Sequence, residues 1–169
     1  MGFTRANTRI AQEIKESEKL RGMGTTVVAI LVSSCKVTVA HIGDSRAYLH
    51  RGTSLRRLTK DHSWVEEQIH AGTLTEAEAR RHPWRNMVTR ALSGSDELPI
   101  DPTELEIEAG DRLLLCSDGL TAVLEDSEIQ RVVAVPVDLQ GVCDELVRRA
   151  NAAGGPDNVT TVLIDVAVK

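Results

Sequence analysis

The sequence RLLLCSDGL at residues 112–120 decides the fold of this chain. Its apolar residues from Leu113 to Cys116 predict a strand that is buried on both faces of a sheet. Asp118 follows where this strand leaves the core, and Gly119 allows either a sharp turn or a close approach to a ligand. A buried carboxylate without a partner is unfavourable, so Asp118 needs a cation or hydrogen-bond donors. An ordinary helix cap at Asp118 is an equal alternative from this stretch alone.

The composition is that of a globular domain with its own core. The chain has 169 residues, of which 41% are hydrophobic and 27% charged. Only four residues are aromatic and the formal net charge is −5, which argues against a nucleic-acid partner. The longest apolar run, Val27 to Val32, is too short to cross a membrane, and residues 1–20 lack a signal-peptide pattern. Cys35, Cys116 and Cys143 lie in apolar contexts and are predicted to be reduced core thiols. We therefore expect a cytoplasmic protein that binds no membrane.

Hydrophobic periodicity divides the chain into antiparallel strands with helices grouped around them, which indicates the α+β class. Strands are predicted at residues 25–33, 36–42, 47–50, 55–59, 87–92, 103–107, 113–116 and 159–168. Helices are predicted at residues 4–20, 63–71, 75–81, 120–123, 126–135 and 137–152. Expected helix caps are Thr4, Asp126 and a capping box of Thr75 with Glu78. Residues 60–86 are highly charged and have only a thin apolar stripe, which predicts a surface subdomain.

Three aspartates share one local pattern. Asp44, Asp118 and Asp157 each lie at a predicted junction of strand and loop, with a glycine within two residues. Carboxylates that meet at one edge of a sheet repel each other unless cations neutralise them. Ligand sets made only of oxygen favour Mg²⁺ or Mn²⁺ over zinc. A single aspartate in a loop is more often a turn or cap residue, and spacing alone does not bring three of them together. Metal ligands and ordinary caps therefore remain alternatives.

Six motifs, in order along nearly the whole chain, carry a family resemblance. They are GMGTT at 22–26, HIGDSRAY at 41–48, TKDHS at 59–63, HP at 82–83 with TRAL at 89–92, CSDGL at 116–120 and GPDNVT at 155–160. Together they resemble the bacterial branch of the type 2C (PPM-type) metal-dependent protein serine/threonine phosphatases.

The resemblance implies a single domain over residues 1–169, with two antiparallel sheets in a β-sandwich flanked by helices on both sides (α/β/β/α layers). It implies a binuclear Mn²⁺ or Mg²⁺ site in which Asp118 and Asp157 match ligands of the central pair. Asp44 matches a ligand of an additional metal, and residues 60–86 match a mobile flap. In this family a metal-activated water attacks phosphorus in line. The implied substrate is a phosphorylated protein, linked to a serine/threonine kinase pathway.

The chain departs from the family pattern at its start. The family's upstream Asp-Gly-x-Gly-Gly motif, whose aspartate bridges the two central metals, is not in the sequence. We therefore expect the N-terminal strands of the sandwich and about half of the central metal site to be missing. Open sheet edges would favour self-association. The alternative function is a non-catalytic binding or regulatory domain derived from a phosphatase.

The mechanism of cysteine-dependent phosphatases is excluded by the surroundings of Cys143. Residues 143–149 fit the Cys-x5-Arg pattern of cysteine-dependent phosphatases, but that chemistry needs a glycine-rich loop and a thiol of lowered pKa. Cys143 instead lies on the apolar face of a predicted helix, next to two acidic residues, and is predicted to be a core thiol.

Overall fold

The computed structural model describes residues 2–95, 98–100 and 102–167. The helices in these residues are α1 (Gly2–Glu16), α2 (Trp64–His70), α3 (Glu76–Arg81), α4 (Asp118–Thr121), α5 (Asp126–Val133) and α6 (Leu139–Ala152), with a 3-10 turn at Glu18–Leu20. The strands are β1 (Val27–Ser33), β2 (Lys36–Ile42), β3 (Arg46–Arg51), β4 (Ser54–Arg57), β5 (Thr103–Glu106), β6 (Arg112–Cys116) and β7 (Thr161–Asp165).

The chain divides into two compact units. The first unit contains the N-terminal residues up to Val27, the segment His41–Asp44 and residues 61–101. The second unit contains residues 28–40, 45–60 and those from Pro102 onward. In the described part of the chain, no helix is both long and apolar enough to cross a membrane.

The second unit contains two antiparallel sheets, apart from the first residue of β1 and the last two of β2, and the strand order is β1-β2-β5 in one sheet and β4-β3-β6-β7 in the other. Strand β6 is central in the larger sheet, where Leu113 pairs with Leu49 of β3 and with Ile164 of β7. These three side chains belong to a cluster with Val37 and Val39 of β2, which lies between the two sheets. The sheets therefore pack face to face as a sandwich.

The opposite face of the larger sheet is covered by helices. Leu114 pairs with Tyr48 and with Leu163, and all three belong to a second cluster with residues of α4, α5 and α6. Strand β6 is thus buried on both faces, as its unbroken apolar run predicts. Helix α6 contributes its predicted face, of which Leu139, Val142, Cys143, Leu146 and Ala150 contact this cluster.

The first unit is held by polar contacts of α1 and by capped short helices. The buried Asn7 of α1 donates its side-chain amide to the carbonyl of Ser95 (2.7 Å) and accepts the N–H of Gly94 (2.8 Å). Ser63 caps α2, and Thr75 with Glu78 forms the predicted capping box of α3. These caps satisfy N–H groups that a helix leaves without an internal partner.

The α+β class with two antiparallel sheets is confirmed, but several local predictions are wrong. Helix α1 begins at Gly2, so Thr4 is not its cap, and the cap of α5 is Glu125, one residue before Asp126. Residues 87–92 form isolated bridges from Val88 and Leu92, not a strand. The predicted last strand, 159–168, is shorter, and its final residue lies outside the described residues.

The cysteine prediction is correct in part. Cys116 is buried and Cys143 is half-buried against the helical core. Cys35 is exposed, since it lies in the turn between β1 and β2 and not in either strand. The prediction of a core thiol at Cys35 is therefore wrong.

Candidate metal centre

The end of β6 is joined to the chain that leads into β7. The backbone N–H of Ser117 donates to the carbonyl of Thr160 (3.0 Å), which extends the pairing of the two strands. The Ser117 hydroxyl donates to the carbonyl of Asn158 (3.1 Å) and accepts the N–H of Thr160 (3.0 Å). The turn with Asp118 and the loop with Asp157 are therefore held side by side.

Gly119 is required by this close packing. A Cβ atom at this position would overlap the carbonyl oxygen of Asn158 and would lie 3.3 Å from the carbonyl oxygen of Asp157. Of the two interpretations of this glycine, a turn or a close approach, the structure shows a close approach, and the partner is the backbone at residues 157–158.

Asp118 is the first residue of α4 and is half-buried. The cap position is occupied by Ser117, whose hydroxyl is used in the contacts to Asn158 and Thr160 and not as a helix cap. The interpretation of Asp118 as an ordinary helix cap is therefore wrong. Its carbonyl accepts the N–H of Ala122 (2.8 Å), so its backbone is fixed by the helix.

Asp157 lies in the exposed loop before β7. Its Oδ1 accepts the N–H of Asn158 at 2.7 Å, which orients the carboxylate relative to its own backbone. The structure thus brings together the segments of Asp118 and Asp157, two of the three predicted site residues.

Asp44 belongs to the first unit. The preceding Gly43 has φ of 105°, and a Cβ at this position would overlap the side chain of Thr26. The Gly43 N–H donates to Nδ1 of His62 (3.1 Å), and the His62 N–H donates to the Gly43 carbonyl (2.9 Å). The His62 ring also stacks on His41, with ring centroids 4.7 Å apart.

Sequence reasoning missed the residues that hold these turns. Ser117, Thr26 and His62 lie within the quoted motifs, but the sequence alone indicates no supporting role for them. The available signal was their position: Ser117 directly precedes Asp118, and His62 lies in a conspicuous TKDHS motif. The partners of all three come from distant parts of the chain, and sequence spacing does not reveal them.

The donor chemistry of Asp118 and Asp157 fits a hard divalent cation, since carboxylate oxygens are the side-chain ligands that Mg²⁺ and Mn²⁺ prefer. Within the described residues, no group of three or more His, Cys, Asp or Glu side chains is arranged to hold a metal ion. The assignment of Asp44, Asp118 and Asp157 as metal ligands therefore stays a prediction.

Comparison with known proteins agrees with the motifs. The sequence profile described as "Protein phosphatase 2C" matches residues 3–163. The protein phosphatase PhpP of Streptococcus pneumoniae is 42% identical over 160 residues, which are 95% of this chain and 65% of PhpP. The crystal structure of the Mycobacterium tuberculosis serine/threonine phosphatase PstP/Ppp superposes with a TM-score of 0.91 at 40% identity, covering 96% of this chain and 68% of that one.

A second crystal structure shows the catalytic domain of PstP in complex with two manganese ions. It has a TM-score of 0.88 and 39% identity, and the match covers 96% of this chain and 67% of that one. The fold and the motifs define a phosphatase-type domain, and the chain belongs to the protein phosphatase 2C family. It spans 65% of the length of PhpP. The resemblance inferred from the six motifs is confirmed.

Proposed function

We propose that this chain acts in the Mn²⁺- or Mg²⁺-dependent hydrolysis of phosphoserine and phosphothreonine in proteins. The observation that supports this most directly is the packing of the Asp118 turn against the Asp157 loop within a chain of this family. This packing holds two segments that carry carboxylates at one end of the β6–β7 pair, and carboxylate oxygens are the ligands that a hard cation prefers.

The chain's own residues have two tasks in this proposal. Asp118 and Asp157 bind the cations of the central pair, and Asp44 binds a further one. Ser117 and Gly119 position the first two aspartates, because they fix the backbones of both segments. When bound, divalent cations supply an acidified water and neutralise phosphoryl charge.

Substitution of the proposed ligands tests this function. We expect Asp118→Asn and Asp157→Asn each to lower Mn²⁺-dependent hydrolysis of a phosphothreonine peptide by about 100-fold or more, since groups that merely support a metal ligand are already worth roughly 10- to 100-fold. Asp44→Asn is measured alongside. Mn²⁺ affinity is determined in parallel by calorimetry, so that lost binding and lost turnover are distinguished.

The matched control is Asp144→Asn on α6, an exposed aspartate whose carboxylate accepts a hydrogen bond from Gln140 (2.7 Å). Asparagine keeps an acceptor oxygen there, and we expect unchanged turnover. Equal loss in the control and the ligand variants would contradict the assignment. Absence of turnover with any divalent cation, together with retained binding of a phosphoprotein, would instead favour the non-catalytic binding domain.

We also propose that residues 60–86 act as the flap of this domain and that the phosphoprotein substrates belong to a kinase-linked pathway in the cytoplasm.

Self-association through the edge of the smaller sheet is supported by β1, an edge strand on which Leu31 is 68% and Val32 49% exposed. Light scattering tests this: Leu31→Lys should shift any concentration-dependent oligomer to the monomer.

A further inference from the structure

We propose that an exposed aromatic cluster in the first unit is a docking surface for an acidic, carboxylate-rich segment of a partner protein that also carries a large apolar side chain. This inference does not depend on the proposed function, since it concerns binding without metal or turnover. The surface, called the Trp84 patch, is formed by Trp64, His82, Trp84 and Met87.

The rings of the Trp84 patch contact one another in defined geometry. His82 stacks on Trp64 with ring centroids 4.7 Å apart, and Trp84 meets Trp64 edge to face at 4.8 Å. His82 and Trp84 are also edge to face, at 5.8 Å. These are the arrangements that the charge distribution of aromatic rings favours. The chain's two tryptophans are therefore both in one cluster.

Backbone hydrogen bonds fix the cluster before any partner arrives. The Trp84 N–H donates to Nδ1 of His82 (3.1 Å), and the Arg85 N–H donates to the His82 carbonyl (3.1 Å). The Met87 N–H donates to the Trp84 carbonyl (3.0 Å), and the Trp64 N–H donates to the Met87 carbonyl (2.9 Å). A surface held in this way loses little conformational entropy on binding.

The patch exposes side chains that are usually covered. Trp84 is 51% and Met87 45% exposed, although tryptophan is highly buried on average and both residue types are enriched in protein interfaces. A rigid aromatic side chain with an apolar neighbour is a typical anchor for an apolar side chain of a partner.

The charged residues around the Trp84 patch indicate the charge of the partner segment. Within three residues of the patch members, the sequence has four exposed arginines, at positions 80, 81, 85 and 90. The acidic residues in the same range are Asp61, Glu66 and Glu67, of which only Glu67 is exposed, and its carboxylate accepts a hydrogen bond from Thr89 (2.7 Å). This local excess of positive charge contrasts with the formal net charge of −5 of the whole chain. Carboxylates are the complementary partners of guanidinium groups.

The same contrast favours a short acidic segment over a long polyanion. A nucleic acid or an anionic membrane extends beyond the patch and meets the negative charge of the remaining surface, which opposes binding. A short polypeptide segment places its carboxylates on the arginines and its apolar side chain on Trp84 and Met87 alone.

The test uses a labelled peptide of glutamates around a central phenylalanine, titrated into the chain in EDTA and followed by fluorescence anisotropy. Two comparison peptides replace the glutamates by lysine or the phenylalanine by alanine. We expect saturable binding of the first peptide only. Trp84→Ala should weaken it by about tenfold or more, as for an interface anchor. Trp84→Phe should retain most of the affinity, and Arg85→Gln should weaken it several-fold, more at low salt than at high salt.

Matched variants in the second unit serve as controls. Val137→Ala removes an apolar side chain that is 48% exposed before α6, and Arg56→Gln removes the charge of an exposed arginine on β4. Neither should change peptide affinity. Circular dichroism verifies that each variant is folded, and the intrinsic fluorescence of the wild-type chain reports on the patch directly, because both tryptophans lie within it.

Four results would overturn the proposal. They are no saturable binding of the acidic peptide, equal or tighter binding of the lysine peptide, no effect of Trp84→Ala, and equal or tighter binding of phosphatidylserine vesicles or oligothymidine.

Discussion

The turn that carries Asp118 and the turn that carries Asp44 use the same two residue types, glycine and aspartate, but different contacts hold them. In the second unit, Gly119 packs against the main chain at residues 157–158. In the first unit, Gly43 packs against the side chain of Thr26, has a positive φ and is bonded to a histidine ring. The glycine of the Asp118 turn thus packs on main-chain atoms of a loop that the Ser117 hydroxyl also contacts, whereas the glycine of the Asp44 turn packs on one side chain and bonds to another. Substitutions should separate these two designs.

The largest effect is expected from Gly43→Ala. The new methyl group overlaps Thr26 and the residue must keep φ of 105°, so we expect a loss of about 2–5 kcal/mol in the free energy of unfolding, from strain and overpacking together. Urea denaturation measures it. Adding Thr26→Gly, which removes both overlapping atoms (Cγ2 and Cβ), should recover much of the overpacking part and leave at least the backbone strain of about 1–2 kcal/mol.

Gly22→Ala is the control for that strain, because Gly22 has φ of 83° and a Cβ there would have no neighbour within 4 Å. It should lose about 1–2 kcal/mol. A double variant at positions 43 and 26 that is no more stable than Gly43→Ala alone would contradict the side-chain design of this turn.

Gly119→Ala should have the next largest effect. The overlap is with a main-chain carbonyl, so the segments of Asp118 and Asp157 must move apart, at about 1–3 kcal/mol in the free energy of unfolding. Mn²⁺ affinity, measured by calorimetry, should fall by about tenfold or more, as for loss of a group that supports a ligand.

Because Gly119 packs on main-chain atoms, its substitution should differ from that of Gly43 in whether a neighbouring side-chain change can rescue it. Trimming the neighbouring side chain by Asn158→Ala should not rescue Gly119→Ala, in contrast to the rescue expected at Gly43. Full rescue would show that the turn depends on the Asn158 side chain. Gly2→Ala is the control, because a Cβ there meets nothing within 4 Å.

Sequence patterns predicted those parts of the molecule that depend on local residues. The burial of β6 on both faces follows from its unbroken apolar run, and the capping box of α3 follows from Thr75 and Glu78 three residues apart. Residues 87–92 were misjudged because Val88 and Leu92 pair with different segments, at Ser63 and Thr25. A pattern within six residues contains no information about two separate partners.

The candidate site was predictable only as separate junctions. The sequence places Asp118 and Asp157 at strand ends, but their closeness results from the register in which Cys116 of β6 pairs with Thr161 of β7. That register depends on which faces of both strands are buried, and therefore on the whole sheet.

His62→Ala tests the side-chain support of the Asp44 turn with a smaller expected effect. The buried Gly43 N–H loses its acceptor and His41 loses its stacking partner, so we expect the free energy of unfolding in urea denaturation to fall by about 1–2 kcal/mol. The exposed His70 at the end of α2 is the control, and His70→Ala should lose less than about 0.5 kcal/mol. Equal losses in the two variants would show that the His62 imidazole does not stabilise this turn.

The smallest effect is a pH dependence that distinguishes the two units. In the second unit, Arg51 donates two hydrogen bonds to the buried Asp111 carboxylate just before β6 (2.8 and 2.7 Å), and these hold the pKa of Asp111 below its ordinary value. In the first unit, the hydrogen bonds of Thr75 lower the pKa of the exposed Glu78. A carboxylate whose pKa is lower in the folded state stabilises the fold above its unfolded pKa, and this stabilisation is lost as pH falls through the folded pKa.

Urea midpoints between pH 7 and pH 2 should therefore fall toward acid, and Asp111→Asn should remove more of that decline than Glu78→Gln. The reason is burial: the Asp111 side chain is 1% exposed, whereas water screens the interactions of Glu78. Asp144→Asn on the exposed face of α6 should leave the decline unchanged. If Glu78→Gln flattened the pH dependence as much as Asp111→Asn, acid stability would be governed by the helix cap of the first unit and not by the anchored start of β6.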